Sequence, residues 1–489
     1  MKRRQVLGAL GLSALGAASL GGLALRIPRG QTGEPVHSRA PLPRPFRVPL
    51  PIPAVARPVR TDATTDYYEI VQREADQEIL PGLRTRVLAY DGTFPGPTLV
   101  TRSGRQAVVT HRNDLSVPVA VHLHGGHTPA DSDGYPTDLI EPGGRRDYTY
   151  PMRQRAATLW YHDHRMDFTG QQVYRGLAGF HLVTDDEQDA LGLPSGERDI
   201  PLMITDRSFG EDGSFSYPAS HHGAGVDDAH MEGVLGDVVL INGAPWPVLE
   251  VAAARYRLRL LNASSARRYR LGLDPARTPL VQIASDGGLL EKPIEHSTVL
   301  LTPGERCEVV VDFSAFKPGT DVTLRNGLGS GGTADVMRFR ITGRGGDDSR
   351  IPQQLSRIEP LSADRAVRTR TWTFRRALND EHPFWRLDGR AFDPERIDAD
   401  VRLGEIEVWR FQSDLHHPVH VHLDPFQVLS RRNQGPGPHD KGWKDTVDLA
   451  PSESVDVAVR FRDYPGRYLL HCHNLEHEDM AMMAAFRTI

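Results

Sequence analysis

The sequence predicts an all-β protein with several antiparallel sandwiches in series. Three observations carry that prediction. Short β-rich runs recur at 99–101, 106–110, 256–261 and 307–313, separated by turn residues. The 46 Gly and 37 Pro residues are enough to punctuate many short strands. No stretch carries the 3.6-residue apolar period of a long amphipathic helix. Within the third run, Tyr256-Arg257-Leu258-Arg259-Leu260-Leu261 alternates apolar and charged side chains, which predicts a strand with one buried face.

Taken in order, the chain opens on Met1-Lys2-Arg3-Arg4-Gln5-Val6-Leu7 and a Gly/Ala/Leu/Ser-rich run to about residue 25. Twin arginines before a mildly apolar run match a Tat-type export signal over 1–30. The run is too short and too rich in small residues for a membrane anchor. The mature chain is therefore expected to have no stable membrane span and to work in the periplasm or outside the cell. The Tat export machinery, which carries folded proteins, is then a partner. Residues 31–60 hold Pro41, Pro43, Pro45, Pro49, Pro51, Pro53 and Pro58 and predict an extended surface segment. Turn-rich or charged stretches at 184–199 and 343–364 divide the rest into blocks of 61–190, 195–345 and 365–489. The 489 residues accommodate three domains at about 150 residues each.

Composition excludes some functions. A net charge of −5 and the lack of a basic domain argue against nucleic acid as a partner. Two cysteines, Cys307 and Cys472, exclude a disulfide-dense scaffold.

Histidine placement carries the chemistry. Four His-x-His pairs occur: His122/His124, His162/His164, His420/His422 and His471/His473. Random placement of 21 histidines would give about one. Side chains at i and i+2 leave one face of a strand, so each pair presents two imidazoles together. The pairs lie in the first and last blocks, none in the middle one, and can supply eight imidazoles to one compact site. Imidazole suits copper, zinc, iron or nickel. The final cluster narrows the choice. It reads His471-Cys472-His473-Asn474-Leu475-Glu476-His477-Glu478-Asp479-Met480-Ala481-Met482, and an upstream cluster reads His416-His417-Pro418-Val419-His420-Val421-His422. Two His, one Cys and a weak axial Met form a blue-copper site, and Cys472, His477, Met482 and His417 can supply them. On a strand Cys472 points away from His471 and His473, so one segment can serve two copper sites on opposite faces.

These motifs, with His122-Leu123-His124-Gly125 and Trp160-Tyr161-His162-Asp163-His164, resemble the copper-binding motifs of three-domain multicopper oxidases. Closer still is the branch containing the spore-coat laccase, bilirubin oxidases and phenoxazinone synthase. His122 to Pro136, Leu240-Ile241-Asn242-Gly243-Ala244-Pro245-Trp246-Pro247 and Ser285-Asp286-Gly287-Gly288-Leu289-Leu290 are similar to that branch. The resemblance runs from about residue 61 to the end. It implies three consecutive cupredoxin-like Greek-key sandwiches, the third holding a type 1 copper.

The resemblance also implies four copper ions: one type 1, one type 2 and two type 3. The type 1 ion would take His417, Cys472, His477 and axial Met482. Type 2 would take His122 and His420. The type 3 pair would share His124, His162, His164, His422, His471 and His473, with their division left open. Electrons from a small reducing substrate would pass through Cys472, between His471 and His473, and dioxygen would be reduced to water. Glu478 and Asp133 match acidic positions linked to proton supply; the plainer reading is that they orient ligand imidazoles. The implied substrates are phenols, aminophenols or tetrapyrroles. A metallo-oxidase acting on Cu(I) or Fe(II) is the second reading, disfavoured because only 9 Met occur. A copper-free structural relative serving cell division is the third, disfavoured by the complete ligand set.

Other residues are read as ordinary. His416 lies off the ligand spacing. His127, His221, His222 and His382 are expected to be loop histidines, Met480 and Met483 packing residues, and Cys307 a small buried hydrophobe. The substrate pocket beside His417 is expected from loops such as 424–426 and 379–385.

Overall fold

The computed structural model describes residues 30–220, 224–377 and 385–489. The expected export signal up to residue 29, His221, His222, His382 and all of 379–385 except Trp385 lie outside the described residues.

The chain forms three consecutive cupredoxin-like β-sandwiches. In the first, strands Gly96–Arg102, Ala178–Thr184, Ala157–Asp163 and Val121–His124 form one sheet in that order. Arg60–Thr61, Thr65–Gln77, Gln106–Asn113 and Arg145–Tyr150 form the facing sheet, with Thr85–Tyr90 paired to the long strand. Ile70, Val109, Val121 and Leu159 are fully buried between them. The middle sandwich packs a seven-stranded sheet against a five-stranded one around Leu258, Val309 and Phe339. The third packs two five-stranded sheets around Trp409, Val457 and Phe486.

Most ladders are antiparallel. Each sandwich also holds a parallel pair, such as Thr65–Gln77 with Gln106–Asn113, Asp199–Arg207 with Arg255–Asn262, and Arg368–Arg376 with Glu407–Ser413. Such pairs arise where the chain crosses to the opposite sheet before returning. The longest helix among the described residues, Thr169–Arg175, has 7 residues. No helix among them is long and apolar enough to cross a membrane.

Residues 31–60 run along the first two sandwiches. Glu34–Pro35 pairs with Val234–Leu235, the Leu50 N–H donates to Val248 O at 2.8 Å, and the Ala56 N–H donates to Thr98 O at 2.9 Å.

Strand Arg255–Asn262 corrects one expectation, because both of its faces are buried. Arg257 and Arg259 point toward the first sandwich instead of solvent. Arg257 Nε donates to Glu308 Oε2 at 2.7 Å, and Arg259 Nη1 to Glu308 Oε1 at 2.9 Å. The Thr158 hydroxyl donates to the same carboxylate at 2.7 Å, and Asp199 takes the rest of the Arg259 fork. Alternation therefore marks a strand here, but its charged face is an interface.

Burial pushes the Glu308 carboxyl up, yet the two guanidiniums overcome this and hold it at about 2. A carboxyl depressed in the folded state contributes stability above its ordinary range and loses it as pH falls through the folded value. Glu308→Gln leaves two buried cations short of charge and is expected to cost about 3–5 kcal/mol. Calorimetry at neutral pH should show a midpoint lower by about 10 °C. The gap from wild type should close as pH is lowered from 4.5 toward 2.

Candidate metal centre

Strand alternation builds two donor sets on opposite faces of one sheet. In the third sandwich His417–Val421 pairs with Gly466–Cys472, placing Val419 opposite Cys472 and His420 opposite His471. Val419, Val421, Leu470 and Cys472 face the sandwich core. His420, His422 and His471 face the other way, and His473 follows just beyond the strand end. The first sandwich repeats the arrangement. Val121, Leu123, Leu159 and Tyr161 face its core. His122 pairs opposite His162, and His124 opposite Trp160, on the outer face.

The two outer faces meet. The His122 and His422 rings stack at 3.9 Å between centroids, and the His124 and His420 rings at 3.7 Å. His164 and His471 lie 5.0 Å apart, as do His124 and His473. All eight paired histidines are buried to 1% exposure or less.

Hydrogen bonds fix which nitrogen looks inward. Nδ1–H donates to a backbone carbonyl in His122 (Asp133 O, 2.6 Å), His162 (Asp163 O, 2.8 Å) and His420 (Asp445 O, 2.9 Å). The Nε2 atoms of all three are buried without a hydrogen-bond partner. His422 Nδ1 donates to Asp133 Oδ2 at 2.8 Å, and His471 Nδ1 lies 3.1 Å from Glu478 Oε2. With both Nδ1 atoms protonated, the two Nε2 atoms carry bare lone pairs, and they face each other at 3.2 Å. His164 Nε2 lies 3.4 Å from His471 Nε2. Converging lone pairs repel unless a cation sits among them, so the donors suit a metal.

His124 is turned the other way. Its Nε2–H donates to Asp445 Oδ1 at 3.1 Å, and its buried Nδ1 has no partner. Asp445 is clamped by Arg306, whose Nη1 donates to Oδ1 at 2.7 Å and whose Nη2 donates to Oδ2 at 2.5 Å. The Arg306 backbone N–H in turn donates to Asp286 at 2.8 Å. Gly304 packs close beside, at φ +85°. A Cβ there would lie 2.9 Å from His473 Cδ2 and 3.1 Å from His124 Cε1, so only glycine fits.

Burial pushes His122, His124, His422 and His473 well below the ordinary histidine range, His162 to about 3 and His164 to about 4. Neutral imidazole is the metal-binding form. Burial likewise pushes the Asp133 carboxyl well up.

The second donor set lies on the core side. Cys472 Sγ is 3.5 Å from His417 Nδ1 and 3.4 Å from His477 Nδ1, and the two Nδ1 atoms are 3.1 Å apart. His417 Nε2–H donates to Asp414 Oδ1 at 2.9 Å, which leaves Nδ1 free to ligate. Met482 is fully buried and tied to this set through its backbone. It accepts from Cys472 N–H at 3.1 Å and donates to His477 O at 3.0 Å. Burial pushes the Cys472 thiol well up, so a metal must displace its proton. Trp385 covers His477, with ring centroids 3.7 Å apart.

The geometry thus brings twelve sequence-selected residues into two adjacent clusters: the eight paired histidines in one, and His417, Cys472, His477 and Met482 in the other. Glu478 lies against His471 and His164, and Asp133 against His122 and His422. His416 stays outside, beside Arg268 at 3.5 Å. His127 is buried between Asp424 (3.1 Å) and Asp463 (2.6 Å). Met483 packs with Tyr135 and Leu469, Cys307 is buried in its strand, and neither cysteine is in a disulfide. One expectation is corrected. Asp424 and Pro425 line a cavity of about 270 Å³ that borders Asp445 and whose walls do not include His417. The strand ends at Val421, and the chain bends at 422–424 with Leu423 at φ +76°, before Asp424 and Pro425.

Trp385, the described end of the 379–385 stretch, does lie beside His417, at 5.4 Å between ring centroids, whereas Asp445, Arg306, Gly304 and Asp414 escaped the sequence reading. Only Asp414 left a local trace, as a carboxylate three residues before His417.

Buried, neutral imidazoles converging on one cluster, joined through a single strand to a His₂Cys set, define a copper-dependent oxidoreductase. Comparisons agree. The multicopper oxidase family profile matches residues 72–188 and 361–489. A laccase from Bacillus stratosphericus is 36% identical over 89% of this chain and 97% of its own length. A bilirubin oxidase from Albifimbria verrucaria is 37% identical, covering 90% of this chain and 81% of the relative. The crystal structure of a multi-copper oxidase from Pediococcus acidilactici superposes with a TM-score of 0.84 at 32% identity, covering 93% of each chain. The chain belongs to the multicopper oxidase family and is a copper-dependent, laccase-like oxidase.

Proposed function

We propose that the chain holds four copper ions and couples one-electron oxidation of phenols, aminophenols or tetrapyrroles to reduction of dioxygen to water. The observation that carries this reading is the position of Cys472. Its thiol lies in the His417/His477 set while its neighbours His471 and His473 lie in the histidine cluster. His417, Cys472, His477 and Met482 hold the type 1 ion. His122 and His420 hold type 2. The two type 3 ions divide as His164, His422 and His471 for one, whose Nε2 atoms converge, and His124, His162 and His473 for the other. Bound copper supplies one-electron acceptance from the substrate and four-electron reduction of dioxygen.

The chain's own residues do the rest. The Cys472 backbone is a covalent link of one residue in each direction between the two sets. Burial excludes water from both. Glu478, 3.1 Å from His471 Nδ1 and 3.5 Å from His164 Nδ1, is placed to orient both rings and to hand protons inward. Asp133 bridges the outer blocks through His122 and His422 and serves in the same way. The sandwiches span 61–190, 195–345 and 365–489 after an extended segment at 31–60. The twin-arginine start directs folded protein through the Tat machinery to the periplasm or beyond.

Oxygen uptake by copper-loaded protein tests the reading. Methoxyphenols, aminophenols and bilirubin should each drive uptake, at about four electrons per dioxygen with water as product. Uptake with Cu(I) alone, and none with any organic substrate, would assign the protein to metal-ion oxidation.

A further inference from the structure

Beside the Cys472 set lies an open groove of about 680 Å³. It crosses the ends of three strands, Arg368–Arg376, Glu407–Ser413 and Ser454–Val459, which neighbour one another in one sheet. Arg375, Arg376, Ser413, Asp414, Ser452 and Glu453 are among its walls. Asp414 is the contact between this groove and the ligand His417, through the 2.9 Å bond to Nε2. Its side chain is 31% exposed and lines the groove; Oδ1 also accepts from Leu415 N–H at 2.7 Å, which leaves the carboxylate further lone-pair capacity for the groove. His477, by contrast, is fully buried beneath Trp385. Asp414 thus joins the solvent of this groove to His417 through one hydrogen bond.

The charges of the groove are unequal. Glu453 is already committed to Ala450 N–H at 2.7 Å and Arg431 at 3.2 Å. Asp414 Oδ2 accepts from Arg376 N–H at 2.7 Å, and the Arg376 side chain pairs with Glu232 at 2.9 Å. Arg375 is exposed and has no carboxylate partner among the described residues. No Met, Cys or His lines the groove, so it offers a soft metal ion no ligand set. It offers instead one uncommitted guanidinium and one carboxylate that contacts a ligand ring.

Resting on the laccase-like reading above, we propose that this groove receives the reducing substrate and selects phenols or aromatic amines bearing a ring carboxylate. Arg375 pairs with the substrate carboxylate. Asp414 accepts a hydrogen bond from the substrate O–H or N–H, which sets the ring against the path to His417. The substrate loses one electron toward His417 and one proton to water in the open groove, leaving an aryloxyl or aminyl radical. Four such oxidations supply the four electrons that dioxygen takes up with four protons.

The test uses copper-loaded full-length protein, with 4-hydroxy-3-methoxybenzoate and the neutral 2-methoxyphenol as oxidisable probes and 4-methoxybenzoate as a probe that is not oxidised. Wild type should favour the carboxylate. Arg375→Gln should lower the kcat/KM ratio of carboxylate over neutral phenol about tenfold, the size expected for one lost charge-assisted hydrogen bond. The loss should sit in KM, and Arg375→Lys should recover part of it. Calorimetry should show 4-methoxybenzoate binding to wild type, weaker at high salt and weaker in Arg375→Gln. If both phenols are oxidised, the ratio does not move in Arg375→Gln and 4-methoxybenzoate does not bind, the groove is not the substrate site. If fully loaded protein oxidises neither phenol, the laccase-like reading fails first and the substrate class falls with it.

Discussion

Cys472→Ser is expected to abolish the blue colour and the oxidase activity together while copper stays in the histidine cluster. The alternation of strand Gly466–Cys472 separates the two sets. Cys472 faces the core with Val419, and His471 faces the other side opposite His420. Serine preserves the strand and the His471 and His473 directions. It removes the soft thiolate that a His₂Cys copper site requires, along with the sulfur-to-copper bonding that gives such sites their colour. Phenol oxidation should fall on the order of 10³-fold or more, as when one member of an interdependent catalytic set is removed. Metal analysis should find one copper fewer than wild type, and visible spectroscopy no blue band. Loss of all copper would mean that the two sets are not independent in folding.

Asp445→Ala is expected to do the reverse, emptying the histidine cluster while the blue site survives. Asp445 holds His124 by Nε2, which turns its Nδ1 inward, opposite to His122, His162 and His420. Without that carboxylate the His124 ring can rotate. Arg306, fully buried, loses its bidentate partner. Burial would raise the Asp445 carboxyl, but the Arg306 guanidinium and His124 hold it well below the ordinary range, so the charge is present throughout the working pH range. Outer partners of metal ligands typically account for 10–100-fold in affinity, and an orphaned buried cation costs about 3–5 kcal/mol. Copper retained after dialysis against a chelator should therefore fall in the cluster alone. Asp445→Asn keeps an acceptor for His124 and should retain more copper than Asp445→Ala.

The two cases show what the sequence made legible. The clustering of the histidines and Cys472 was readable because strand geometry has a period of two and metal chemistry restricts donor types. His-x-His and His-Cys-His therefore carry both position and direction. The all-β class was readable from turn density and short apolar runs. Long-range partnerships were not. Asp445 lies 321 residues from His124 in sequence, and nothing local distinguishes its carboxylate from a turn residue. The middle block has no paired histidine, and its 285–290 run was read only as a resemblance, yet it supplies Arg306, Gly304 and Asp286 around the cluster. Arg257 and Arg259 predicted a solvated strand face because alternation reports polarity, not what neutralises it. Asp424 and Pro425 were expected beside His417, but the chain leaves the strand after Val421 and bends at 422–424, so both line the cavity bordering Asp445.

The most direct test of the account is copper content measured together with the visible spectrum, on wild type and Cys472→Ser side by side after reconstitution. The account predicts four copper ions per chain with an intense blue band in wild type, and three without the band in the variant. A wild-type protein that takes up copper but stays colourless, or a variant that keeps the band, would contradict it.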